Sequence, residues 1–240
     1  MAHPKDRIIF PLDLPELDKA LEFVGLLKDD VGVFKIGLEL FVRSGPKAVE
    51  AVKKITGAGI FLDMKFHDIP ETVKGAIRSA SALGVEFVTV HAEGGSALMK
   101  AVAEGSGKKT KVLGVTVLTS LSSDDLVEAG LDPKYRDPSE LVVARARLAK
   151  AAGLSGIVCS GREAGIVKKE LGEDFLVVTP GIRPKDSPPD DQKRLSTPYE
   201  AVYSGADYIV VGRPIRNAPD PRKAASLIAD EIDRALKDRA

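Results

Sequence analysis

The feature that most constrains the fold is the alternation of short, β-branched apolar runs with longer helical patterns along the whole chain. In the helical patterns, such as 71–83, 139–152 and 221–237, apolar residues recur every three or four positions. This alternation predicts a parallel β-sheet whose strands are connected by helices. The strand candidates are 7–14, 33–37, 60–66, 87–92, 112–119, 156–160, 175–182 and 208–213.

Eight strand–helix units predict a closed (β/α)8 TIM barrel, and an open doubly wound sheet is the structural alternative. The 240 residues are a usual length for one such barrel, and no Pro/Gly-rich linker divides them. We therefore expect a single domain over 1–240. In both architectures ligands bind at the carboxyl ends of the strands.

The amino-acid composition limits which classes of function this protein can have. The 35 basic and 35 acidic residues cancel, so no overall field favours nucleic acid or an anionic membrane. No run approaches the ~20 apolar residues of a membrane span, and the polar amino terminus lacks the apolar core of a signal peptide. We therefore expect a cytoplasmic protein. The single cysteine, Cys159, excludes an internal disulfide and is expected to be a buried core residue.

The chemically distinctive residues fall where the strand candidates end, which is where a barrel binds its ligands. In the third candidate, Asp63 and Lys65 are two residues apart and therefore leave an extended strand on the same face. Asp68 follows this strand, and Lys35 lies in the neighbouring candidate, about 5 Å away. The full set is Asp13, Lys35, Asp63, Lys65, Asp68, His91, Thr119, Ser120, Pro180, Gly181, Arg183, Gly212 and Arg213.

Charges inside an apolar strand are costly unless they are paired. Two lysines and two aspartates, Lys35, Asp63, Lys65 and Asp68, can form an alternating, neutral cluster. In such a cluster each lysine stays protonated and each aspartate stays ionised, because every charge has opposite neighbours. The cluster is a candidate catalytic site, and the alternative is a salt-bridge network that only stabilises the barrel.

A phosphate site is predicted after the last two strand candidates. The backbone N–H groups and the arginine fork of Gly212-Arg213 suit a phosphate dianion. The long polar segment 183–194 can fold over a ligand and supply Arg183 and Gln192, or it can be a solvated surface loop. No metal site is expected, because the spacing of His67 and His91 matches no recognised ligand pattern and Lys65 would repel a cation.

Five segments together resemble the signature blocks of the orotidine 5′-phosphate decarboxylase family, in order and in spacing. The segment 63–72 is similar to the signature Asp-x-Lys-x-x-Asp-Ile followed by a proline and a threonine. The other four are 34–37, 116–120, 179–183 and 211–214. The resemblance covers nearly the whole chain and implies decarboxylation of orotidine 5′-monophosphate to UMP without metal or cofactor.

The resemblance also implies a role for each matching residue. Lys65 is the acid that protonates C6 of the pyrimidine, Asp63 lies near the substrate carboxylate, and Asp13 and Lys35 reach the ribose. Asp68 and Thr72 reach into the neighbouring subunit's site, which implies a homodimer. The remaining substrate contacts are Thr119 and Ser122 in the segment that reads the pyrimidine edge, Arg183, Gln192, Gly212 and Arg213 for the phosphate, and Ile69.

Two alternative functions stay open. One is a magnesium-dependent enzyme with the same barrel core, such as 3-keto-gulonate 6-phosphate decarboxylase or hexulose-phosphate synthase. Those enzymes hold the metal partly with an acidic residue on the second strand, where this chain has Lys35. The other is a non-catalytic barrel that binds a phosphate ligand, since a fold does not fix a function.

Overall fold

Eight parallel strands form a closed barrel in the computed structural model, which describes residues 3–107, 109–185 and 195–239. The strands are paired in chain order, and the barrel closes where β1 pairs with β8. The predicted TIM barrel is therefore confirmed. The strands are β1 (Ile8–Pro11), β2 (Val33–Ile36), β3 (Gly59–Phe66), β4 (Phe87–His91), β5 (Lys111–Val115), β6 (Gly156–Val158), β7 (Leu176–Thr179) and β8 (Tyr208–Val210).

Helices surround the barrel, and several of them begin with proline, whose missing N–H is not needed in the first turn. For this reason two predicted helices begin one residue earlier than expected, at Pro70 and Pro138. The helices are α1 (Leu17–Leu27), α2 (Leu38–Ser44), α3 (Pro46–Ile55), α4 (Pro70–Ala82), α5 (Gly95–Gly105), α6 (Ser123–Glu128), α7 (Pro138–Ala151), α8 (Gly161–Leu171), α9 (Pro198–Tyr203), α10 (Arg213–Arg216) and α11 (Pro221–Arg239). Among these described residues, none of the helices is both long enough and apolar enough to span a membrane.

Most of the strands are shorter than the sequence predicts. The candidates 112–119 and 208–213 extend beyond β5 and β8, which end at Val115 and Val210. A strand continues only while the neighbouring backbone offers hydrogen-bond partners in register. The polar residues at the carboxyl ends therefore lie largely in the connecting loops rather than in the strands.

Side chains in the strands alternate between the barrel interior and the layer beneath the helices. In β3, Phe61 packs inside the barrel with Phe87, whereas Ile60 and Leu62 join the larger core between sheet and helices. The next inward position after Phe61 is Asp63. The interior is therefore apolar in its lower part and becomes charged towards the carboxyl ends of the strands. The inner apolar cluster is Ile9, Val33, Phe61, Phe87, Leu113 and Val178.

Candidate active site

A cavity of about 490 Å³ opens at the carboxyl ends of the strands. Both charged and apolar residues line it, so it can hold a ligand that has both ionic and uncharged parts. Cys159 is buried, as predicted, and also contributes to this lining. The lining residues are Pro11, Asp13, Lys35, Phe61, Asp63, Lys65, Val115, Val117, Leu118, Thr119, Val158, Cys159, Pro180, Gly181, Arg183, Val210, Gly212, Arg213 and Arg216.

Four charged side chains form a continuous ion chain along the floor of the cavity. The ammonium of Lys35 lies 3.0 Å from Asp13 Oδ1 and 3.5 Å from Asp63 Oδ2. The ammonium of Lys65 lies 2.8 Å from the same Asp63 oxygen. Positive and negative groups thus alternate in the order Asp13, Lys35, Asp63, Lys65. The alternation matches the prediction, but within one chain the second aspartate is Asp13 rather than Asp68.

Lys35 and Asp63 form the buried centre of this ion chain, with 8% and 9% of their surface exposed. Burial favours the neutral form of Lys35, but the carboxylates of Asp63 and Asp13 outweigh it and raise the pKa of Lys35 above its ordinary value. Burial likewise opposes ionisation of Asp63. The ammonium groups of Lys35 and Lys65, with hydrogen bonds from Lys65 and Thr89, overcome it and lower the pKa of that carboxyl. Both groups of this central pair are therefore charged at neutral pH.

A bulge in β3 places Asp63 and Lys65 at the cavity. Leu62 pairs with Val88 and Phe66 with Val90, so three residues of β3 lie opposite one residue of β4. Lys65 has a φ of 50° and is the one non-glycine residue with positive φ in the described part of the chain. The two side chains meet as predicted, but they do so on a bulged strand rather than a regular one.

The predicted phosphate residues Arg183, Gly212 and Arg213 line the same cavity, at the carboxyl ends of β7 and β8. Gly181 has a φ of 76°, a conformation that glycine adopts without strain, and it turns the chain from β7 towards Arg183. Gln192 lies outside the described residues. A cavity lined by these two arginines, as well as by the ion chain, suits a ligand that carries a terminal phosphate.

Four predicted site residues lie elsewhere. Asp68, Ile69 and Thr72 are exposed, and Asp68 Oδ1 accepts a hydrogen bond of 2.6 Å from the backbone N–H of Ile69. Ser122 caps α6, and its hydroxyl donates to Asp125 Oδ2 over 2.6 Å. Within the described residues none of these four lines the cavity, whereas Thr119 does.

Sequence reasoning missed two residues of the site. The Thr89 hydroxyl donates to Asp63 Oδ1 and accepts from the backbone N–H of Lys65, each over 2.9 Å. Arg216 lines the cavity and donates to the backbone carbonyl of Asp13 over 2.7 Å. Threonine is so common in strands that Thr89 gives no signal in the sequence. Arg216 follows Arg213 by three residues, a spacing that places two side chains on the same face of a helix. This spacing was the available sign that Arg216 also lies at the site.

His67 and His91 lie together at the edge of the site, with ring centroids 5.6 Å apart. Both approach Glu93 Oε1, at 3.7 and 3.9 Å from their Nδ1 atoms. Burial is the main reason why the pKa of His91 is lowered, although Glu93 opposes the effect. Arg145 donates to the other oxygen of Glu93 over 2.7 Å. Across the described residues, no three His, Cys, Asp or Glu side chains are grouped so that they could hold a metal ion.

A closed parallel barrel with a charged cavity at the carboxyl ends of its strands defines the class of TIM-barrel enzymes. A model of the orotidine 5′-phosphate decarboxylase / HUMPS family matches residues 6–228. The chain belongs to this family, which confirms the resemblance seen in the sequence. It is 49% identical over 238 residues to orotidine 5′-phosphate decarboxylase from Desulfosudis oleivorans, covering 98% of this chain and 96% of that protein.

Further relatives and solved structures agree with this assignment. Orotidine 5′-phosphate decarboxylase from Anaeromyxobacter sp. is 49% identical over 226 residues, which cover 94% of this chain and 98% of the relative. The crystal structure of orotidine 5′-phosphate decarboxylase from Lactobacillus acidophilus matches with a TM-score of 0.81 and 36% identity, over 94% of this chain and 98% of that one. Both fold and family are therefore supported over nearly the full length.

We predict that Asp63→Asn destabilises the protein in a pH-dependent way. Because the folded pKa of Asp63 is lowered, its ionised form contributes stability above the unfolded pKa, about 3.9, and loses it as pH falls through the folded pKa. We expect Asp63→Asn to reduce the free energy of unfolding by ~3 kcal/mol at pH 7. The difference from the unmodified protein should shrink only below about pH 4, as measured by urea denaturation from about pH 3 to pH 8.

The matched control is Asp233→Asn, which makes the same change in an exposed ion pair with Lys237 on α11. It should change the free energy of unfolding by less than ~1 kcal/mol, because exposed ion pairs contribute little. A loss for Asp63→Asn no larger than this control would contradict the stabilising role of the ionised carboxylate.

Proposed function

We propose that the protein decarboxylates orotidine 5′-monophosphate to UMP, a step of pyrimidine biosynthesis. The observation that carries the proposal is the ion chain of Asp13, Lys35, Asp63 and Lys65 on the floor of a cavity that Arg183 and Arg213 also line. The substrate has a phosphate at one end and a carboxylated pyrimidine at the other. Family membership, with curated relatives at 44–49% identity that carry this name, points to the same activity.

Binding of the substrate uses three parts of the cavity. Arg183 and Arg213, with Gln192 and the backbone of Gly212, hold the phosphate, because a guanidinium fork matches its oxygens. Asp13 and Lys35 bind the ribose hydroxyls, and Thr119 lies in the segment that contacts the pyrimidine. Phosphate contacts distant from the reacting carbon supply binding energy that orients the pyrimidine over the ion chain.

The chemical difficulty is the charge that develops on C6. When the bond between C6 and the carboxylate breaks, carbon dioxide leaves and the electron pair stays on C6, with no adjacent carbonyl to delocalise it. The ammonium of Lys65 stabilises this charge and transfers its proton to C6, and the resulting amine is reprotonated from solvent. Asp63 holds the ammonium at 2.8 Å, so the stabilising group is in place before the reaction begins.

A second subunit completes the site in this proposal. Asp68 and Thr72 reach the neighbouring subunit's cavity, where Asp68 adds a further aspartate to the catalytic array. The support is their exposure at the start of α4, together with Ile69, which exposes 67% of its surface.

We expect purified protein to deplete the absorbance of orotidine 5′-monophosphate at an unchanged rate after treatment with EDTA, since the proposed steps use only side chains of the chain itself. Loss of activity that magnesium restores would instead favour the metal-dependent 3-keto-gulonate 6-phosphate decarboxylase or hexulose-phosphate synthase type, which the position of Lys35 argues against. Binding of UMP without any turnover would favour the non-catalytic barrel.

We expect Lys65→Ala to lower kcat by at least ~10³-fold, because one side chain both stabilises the developing charge and donates the proton. Its circular dichroism and its affinity for UMP should be retained. Lys74→Ala is the matched control, because Lys74 pairs with Glu104 on the outside of the barrel. Turnover by Lys65→Ala within about tenfold of the control would show that another group donates the proton.

We expect a mixture of inactive Lys65→Ala and inactive Asp68→Ala to regain activity, because a mixed dimer would contain one intact site. With random exchange the activity should reach about one quarter of the unmodified level. Mixing Lys65→Ala with Asp63→Asn is the control, since both changes lie in the same chain's cavity and no site is restored. Failure to regain activity, despite subunit exchange shown by mass spectrometry, would disprove the contribution of Asp68 across the interface.

A further inference from the structure

Thr89 is the residue of β4 that faces the bulge in β3. Asp63, Met64 and Lys65 lie between the paired positions Leu62–Val88 and Phe66–Val90, and Thr89 lies alone on the other side. The regular backbone ladder is interrupted over these residues. A bulged backbone needs other hydrogen-bond partners, and side chains of the neighbouring strand are the nearest source.

The Thr89 hydroxyl supplies two such contacts at once. It accepts a hydrogen bond of 2.9 Å from the backbone N–H of Lys65 and donates one of 2.9 Å to Asp63 Oδ1. Thr89 is fully buried, with 0% of its surface exposed. A single hydroxyl therefore joins the backbone of one member of the ion chain to the side chain of another.

Each of these two contacts restrains a group that could otherwise adopt a different conformation. Lys65 holds a φ of 50°, a conformation that a lysine keeps only when its surroundings enforce it. The carboxylate of Asp63 has one oxygen engaged by Lys35 and Lys65, and it can rotate about its side-chain bonds unless the other oxygen is also held. The Thr89 hydroxyl holds that second oxygen and the backbone of Lys65 together.

We propose that Thr89 is a positioning residue for the reaction, whose hydroxyl fixes the Asp63 carboxylate and the Lys65 backbone in the arrangement that presents the Lys65 ammonium to the substrate. This inference rests on the proposed decarboxylation and adds a residue to it. Thr89 acts through Asp63 and Lys65 and is absent from the cavity lining within the described part of the chain.

The test compares Thr89→Val, which keeps the shape and removes the hydroxyl, with Thr89→Ser, which keeps the hydroxyl. For Thr89→Val we expect kcat to fall by roughly 10- to 100-fold while the affinity for UMP changes by less than about threefold. Thr89→Ser should recover kcat to within about fivefold of the unmodified protein. If Thr89 had a purely structural role, Thr89→Val would lower the amount of folded protein. It would not lower kcat while leaving the affinity for UMP nearly unchanged.

A pH profile gives a second readout. Thr89 lowers the pKa of Asp63 by donating to it, so its loss should raise that pKa and move the acid limb of the kcat profile to higher pH. The charged and titratable groups around Thr89 and Asp63 are Lys35 of β2, Lys65 of β3, His91 of β4 and Asp13 after β1. The carbon-13 resonance of the Asp63 carboxyl assigns the shift to Asp63 rather than to His91.

Thr110→Val is the matched control. Thr110 is also buried, with 5% exposure, and its hydroxyl donates over 2.9 Å to the backbone carbonyl of Val85, away from the cavity. It should leave kcat and the Asp63 resonance unchanged. An unchanged kcat and acid limb in Thr89→Val, or a Thr89→Ser variant as impaired as Thr89→Val, would overturn the proposal.

The outcomes separate this inference from the proposed function. If the unmodified protein does not decarboxylate orotidine 5′-monophosphate, the proposed function fails, and the carbon-13 titration of Asp63 still decides whether Thr89 fixes the carboxylate. No change of the Asp63 titration in Thr89→Val would then overturn the positioning role. If the unmodified protein is active and Thr89→Val is equally active, the proposed function stands and the role of Thr89 is rejected.

Discussion

The contact on which the site depends is the pairing of Lys35 with Asp63 inside the barrel. Each of these groups is almost fully buried, and an isolated charge in such a place would be neutralised by a shift of its pKa. Each stays charged because it has oppositely charged neighbours on both sides in the ion chain of Asp13, Lys35, Asp63 and Lys65. The closed barrel is what holds these neighbours, from three different parts of the chain, within contact distance.

The bulge in β3 sets the positions of Asp63 and Lys65, the members of the ion chain that this strand places at the cavity. A regular strand would carry Asp63 and Lys65 along the ladder at fixed spacing, with their backbone groups paired to β4. In the bulge the backbone of Lys65 leaves the ladder and takes the Thr89 hydroxyl as its partner. Local backbone strain is thus concentrated at the residue proposed as the proton donor, supported by a buried side chain of the next strand.

Much of the fold and part of the site follow from sequence patterns. Eight alternating units predict the barrel, and charges in apolar strands predict that Lys35, Asp63 and Lys65 meet. The strand ends were predicted too far along the chain, since apolar composition continues past the last backbone pair at Val115 and Val210. Asp13 was expected at the site but not as the second carboxylate on Lys35, because its position depends on how the loop after β1 turns.

By itself the sequence determined the barrel class, the family and the residues that carry charge at the strand ends. These properties depend on hydrophobic periodicity and on motif spacing, which are local along the chain. Only the tertiary structure decided the order of charges in the ion chain, the left-handed conformation of Lys65 and the link through Thr89. The conformation of Lys65 and the link through Thr89 depend on the register between neighbouring strands, where three residues of β3 lie opposite one of β4. The order of charges depends also on the loop after β1, which brings Asp13 to Lys35. Register and the positions of these loops are properties of the closed barrel rather than of any single segment.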